Sequence, residues 1–136
     1  MGQLAISGTL IAGPPQSSGT GAFPGTVATA PLATYANPKQ FQRGTGILER
    51  TITSAAPAFL DLGEPGNVVT QADFLYFKSD APLTLRLTTD DGAGGDVVAV
   101  VPIHGLAIME FNSTNFLKTL EAQGTAKVEY FLSGNQ

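Results

Sequence analysis

PLTLRLTTDDGAGGDVVAVV, residues 82–101, decides the fold. Its first half alternates without a break: Leu83, Leu85 and Leu87 fall on one side, Thr84, Arg86 and Thr88 on the other. Successive side chains of a strand point to opposite faces, so this stretch predicts a half-buried β-strand. The second half, Val97 to Val101, is a continuous apolar run, which fits a strand covered on both faces. Between them stand Asp90, Asp91 and Asp96 around four small residues. Asp and Gly tolerate the positive φ of a tight turn, so the whole stretch predicts a β-hairpin.

The same signals continue on both sides. GILERTIT (46–53) alternates, with Leu48, Arg50 and Ile52 as the core-facing set. DFLYFKS (73–79) is a second continuous apolar run, and KVEYFLS (127–133) puts Val128, Tyr130 and Leu132 inward and Lys127 and Glu129 outward. LAISGTLIA (4–12) reads as a further strand. Ser79-Asp80-Ala81-Pro82, GEPGN (63–67) and IHGL (103–106) read as corners, and Pro82 suits a strand start because it has no N–H to give a ladder. STNFLKTLEAQG (113–124) fits a strand leading into a last hairpin, with a short helix as the alternative. Short strands punctuated by turns predict an all-β fold, an antiparallel jelly-roll-like β-sandwich of about eight strands.

Composition agrees. The chain has 136 residues, enough for one domain with a real core. Gly and Pro, the two worst helix formers, supply 25 of them, and only 13% are charged. Residues 1–45 read as the N-terminal strand plus an extended arm or loop, and 46–136 as the sandwich core. Pro, Gly, Ser and Thr dominate residues 13–25, which cannot bury much apolar area for each residue ordered. Phe23, Tyr35 and Phe41 are the expected anchors of such an arm against a neighbouring subunit.

Several function classes fall away. The net charge is −4 and the seven Lys and Arg are scattered, so no cationic face suits nucleic-acid phosphates. Without cysteine there is no thiolate site, disulfide or cysteine nucleophile. The first residues lack a secretory signal pattern, Ile6 stands where a myristoylation motif wants Ser or Thr, and no apolar run reaches membrane-spanning length. We expect no nucleic acid, membrane or cofactor partner.

Candidate chemistry is sparse. Asp90, Asp91 and Asp96 could supply part of a calcium shell of six to eight oxygens, but the spacing matches no EF-hand, and an imperfect glycine-rich repeat works only in series. These are the carboxylates to examine for a weak ion; no metal site is expected. His104, the single histidine, lies at a corner near Glu110 without a G-x-S-x-G nucleophile, so no catalytic residue is assigned. Glu49, Glu110, Glu121 and Glu129 read as outward or edge residues rather than a glycosidase pair. Gly19-Thr20-Gly21 and Gly44-Thr45-Gly46 lack the strand–loop–helix context of a phosphate site.

Residues 72–136 carry a resemblance. An apolar strand ends at Ser79-Asp80, a Leu-rich strand follows with Leu83, Leu85, Arg86 and Leu87, and the last strand holds Gly124, Ala126, Val128, Glu129 and Tyr130. This order resembles small β-sandwich virion proteins of tailed bacteriophages. The resemblance implies a non-enzymatic structural component of the virion, as capsid decoration, minor capsid or tail-associated protein. It further implies a homo-oligomer, a trimer on the resemblance alone, that contacts other virion proteins. The competing expectation is a carbohydrate- or receptor-binding β-sandwich, disfavoured by the absence of Trp and the scarcity of Tyr.

Overall fold

The computed structural model describes residues 2–5, 9–12, 28–31, 39–63 and 68–135, and among them there is no helix. The strands are β1 (Gly2–Leu4), β2 (Thr9–Ala12), β3 (Ala28–Pro31), β4 (Lys39–Phe41), β5 (Arg43–Gly44), β6 (Leu48–Phe59), β7 (Ala72–Ser79), β8 (Leu83–Asp90), β9 (Asp96–Ile103), β10 (Leu106–Glu110) and β11 (Leu117–Gly134). The chain divides into a unit of Gln3–Gln40 and a larger one formed by Met1–Gly2 and Phe41–Gln136. Two short ribbons, β1 with β4 and β2 with β3, account for the first four strands. LAISGTLIA therefore contains β2 and the end of β1 rather than one strand. Phe23 and Tyr35 lie outside the described residues, as does most of the GEPGN corner.

The larger unit is a single curled sheet of seven strands, in the order β10-β7-β11-β8-β9, with β5 and β6 also on β11. Everything hangs on β11. Its first part pairs with β8, Leu120 opposite Leu87 and Gln123 opposite Thr84, and its second part with β7. Along that second part the β7 partner numbers fall, from Ser79 opposite Val128 to Ala72 opposite Gly134, so the strands run in opposite directions. Its other side carries β6, from Glu121 opposite Phe59 to Tyr130 opposite Leu48.

Both ends of β11, Leu117 and Gly134, lie opposite Ala72. Eighteen residues of straight strand would span roughly 60 Å. The strand must therefore bend back on itself, and the sheet curls with it. The bend has a visible cause: the register against β6 shifts between Ala122 and Gly124, and Gly124 has φ +135. Only glycine enters that region without steric cost. The expected last hairpin is absent, because Gly124 makes a bulge inside one strand rather than a turn between two.

Curling puts alternate faces of β7, β8 and β11 around one core. Leu85, Phe77, Leu120, Leu132 and Tyr130 are fully enclosed, and Ile52 of β6 joins them. Leu48, Arg50 and Ile52 face inward more than Ile47, Glu49 and Thr51, as the alternation predicts. The Phe77 and Tyr130 rings stack with centroids 6.2 Å apart. The Tyr130 hydroxyl donates to the Asp61 carbonyl at 2.8 Å, and burial pushes its phenol up to about 12. Phe41 packs edge-to-face on Phe131 at 5.8 Å, within this same unit.

Candidate functional site

The β8–β9 hairpin closes with Asp90 opposite Asp96. Positive φ is taken by Gly92 and Gly94, both at φ 90, and by neither aspartate. The aspartates serve the turn with their carboxylates instead. Asp90 Oδ2 accepts from the Gly92 amide at 2.8 Å, and Asp91 Oδ1 accepts from Ala93 and Gly95 at 2.7 and 2.9 Å. Asn115 Nδ2 donates to the Asp90 carbonyl at 3.0 Å, tying the tip to the approach to β11.

A cation already stands between the carboxylates. The Lys118 ammonium lies 2.9 Å from Asp90 Oδ1 and 2.8 Å from Asp96 Oδ1, and donates to the Gly95 and Gly94 carbonyls at 3.0 and 3.3 Å. Lys118 holds the Asp90 carboxyl below the usual carboxylate range, with the Gly92 and Gly94 amides adding and burial opposing. In return the bonds to Asp96 and Asp90 push the ammonium up. The three candidate carboxylates are thus brought together, two of them around a lysine and one turned to the loop amides. Sequence reading missed Lys118. It lies 22 positions from Asp96, and only the pairing of β8 with β11 brings it there.

The glutamates separate. Glu121 is buried rather than outward, opposite Arg86, whose Nε stands 3.7 Å from its carboxylate. Glu129 accepts from the Tyr76 hydroxyl at 2.9 Å and lies between Glu49 on β6 and Lys78 on β7. A groove of about 620 Å³ opens there, lined by Glu49, Arg50, Lys78, Asp80, Lys127 and Glu129 among others. Its three cations and three anions give neither the cationic cradle an anion needs nor the carboxylate cage a metal needs. His104 is exposed on the corner between β9 and β10, and Glu110 is exposed at the end of β10.

The strongest anomaly is apolar. VVAVV, expected to be covered on both faces, is largely open on both: Val97 is 49% exposed, Val98 46% and Val100 65%, and Val101 at its end packs against the core. The cause is position. Among the described residues β9 pairs only with β8 and forms an edge of the sheet, so a run of valines that could fill a sandwich lies open instead. Proteins usually blunt such edges with charge, proline or short length. Between Asp96 and Pro102, β9 has none of these.

Which backbone groups β9 leaves open follows from its neighbours. Asp91 N–H donates to Gly95 O on the β9 side, and Asp90 N–H donates to Phe116 O on the β11 side. Bonding direction alternates along a strand, so odd residues of β8 bond β9 and even ones bond β11. In β9, Val97, Ala99 and Val101 therefore bond β8, and Val98 and Val100 point their N–H and C=O away from the sheet. Pro102, whose nitrogen also points away, has nothing to lose there. No family model, curated protein or solved structure matches the chain.

Proposed function

We propose that this protein is a structural component of a bacteriophage virion, as capsid decoration, minor capsid or tail-associated protein, and works by protein–protein assembly rather than catalysis. The observation that carries the reading is the β9 edge: Val97, Val98 and Val100 expose apolar surface on both faces of a strand whose outer backbone groups pair with no other described strand. A contiguous apolar edge of this kind marks an interaction surface or an aggregation hazard, and a many-copy particle protein turns the first to use. The residues of the phage-like pattern, Leu83, Leu85, Leu87, Val128 and Tyr130, build the core behind that edge. Self and other virion proteins are the partners in this reading, and the virion is its location.

The curled sheet is, in the same reading, a jelly-roll-like sandwich. Support comes from β11, whose first half belongs to a β9-β8 wall and second half to a β10-β7 wall, with Leu85 and Phe77 in one core.

Mass spectrometry and electron microscopy of purified virions from the source of this chain test the proposal. The chain should be present in many copies, and Val98→Lys should lower its occupancy. Its absence from particles, while abundant in the lysate, would contradict the reading.

A further inference from the structure

We infer that β9 pairs edge to edge with β9 of a second copy, antiparallel, about a two-fold axis through Ala99. The inference rests on the assembly reading above and names the partner of that edge.

The outward-pointing residues set the register. Among the described residues, Asp96, Val98 and Val100 of β9 point both N–H and C=O away from β8, Val98 and Val100 are the apolar ones of these, and Pro102 ends the run of donors. An antiparallel two-fold places Val98 opposite Val100 of the second copy, so each gives and accepts one bond, and the pattern occurs twice. The side chains match in the same register. Val97 meets Val101, Ala99 meets its own copy, and Val98 meets Val100, all apolar pairs of the kind that stabilise neighbouring strands.

Charge selects the same arrangement. The only charged residue of β9 is Asp96 at one end, and the other end holds the uncharged Pro102-Ile103. An antiparallel pair lays each charged end on the uncharged end of its partner, so no like charges meet. A parallel pair would set Asp96 beside Asp96. The partner that fits is therefore a strand with this layout of charge and apolar side chains, which β9 itself supplies. Joining the copies makes one continuous sheet, β11-β8-β9 running into β9-β8-β11.

The other long edges among the described residues are interrupted: β6 exposes Phe59 but carries Glu49, Arg50 and Pro57 within its run, and β10 exposes Leu106 and Ile108 but has only five residues. A two-fold edge joins copies in pairs, in place of the trimer that the family resemblance implies.

The chain has no cysteine, so a single introduced thiol reports the register. Across the two-fold, Ala99 and its copy form a non-hydrogen-bonded pair with Cα atoms about 4.5 Å apart, inside the range a disulfide spans. Val97 and its copy would lie roughly 13 Å apart, four residues along the strand. Under copper-catalysed oxidation the full-length Ala99→Cys protein should give a species of twice the 14.0 kDa chain mass, and Val97→Cys should not. Equal cross-linking of both variants, or of neither, would overturn the pairing.

Light scattering of the uncrosslinked chain should likewise give twice the chain mass. Val98→Pro, which removes one outward donor without touching the bonds to β8, should return it to one chain mass with unchanged circular dichroism. A wild-type mass of one or three chains would overturn the inference. If the wild type is monomeric and Val98→Pro still lowers virion occupancy, the two-fold fails and the assembly reading stands. If the dimer is lost and occupancy is unchanged, the two-fold stands and the role of β9 in the virion fails.

Discussion

Lys118 shows how a single side chain fixes the character of a loop. An ammonium group seated between Asp90 and Asp96, with two loop carbonyls beside it, supplies the positive charge that an acidic turn would otherwise take from solution. Asp90 is held below its ordinary value in the folded chain. The stability it contributes is therefore present above its unfolded value, about 3.9, and is lost as pH falls through the folded value. Lys118→Met should lower the melting temperature at neutral pH, and the difference from wild type should shrink in acid below about pH 4. Thermal unfolding followed by circular dichroism from pH 2 to 7 checks this. A difference that is the same at both ends of that range would mean the ammonium does not act through Asp90. Nothing near Asp90-Asp91 in sequence announces this lysine, because the contact is made by strand pairing and not by a local motif.

Elements were legible where periodicity is unambiguous. β8 is the clearest case, since an alternation of leucine with polar residues has one structural meaning. The core-facing sets of β6 and β11 follow the same rule, and each falls inward. A run such as VVAVV has two meanings. A central strand buried on both faces and an edge strand open on both faces share one pattern, and only the neighbours distinguish them. Gly124 is similarly ambiguous, for glycine can end a strand in a turn or bend it at a bulge. Here it bends, and β11 depends on it. A Cβ at residue 124 would stand 3.1 Å from the Leu83 Cβ at φ +135. Gly124→Ala should therefore cost about 1–3 kcal/mol of stability. Urea unfolding gives the value, and a loss within about 0.5 kcal/mol, that of an ordinary surface substitution, would show that the curl does not need this glycine.

At the scale of the molecule, fold and candidate site have different legibility. An all-β chain was readable from turn density and alternation, because both are properties of short segments. The curl of one 18-residue strand around the core was not, since it arises from pairings between residues far apart in sequence. The open edge was hidden for the same reason. The central claim is that this protein works through the outward face of β9. Residue-resolved hydrogen exchange at several protein concentrations tests it most directly. Val97, Ala99 and Val101 amides, bonded to β8, should be protected at every concentration. Val98 and Val100 amides should exchange freely when dilute and become protected as copies associate. Fast exchange of Val98 and Val100 at all concentrations, and in the assembled particle, would contradict the account.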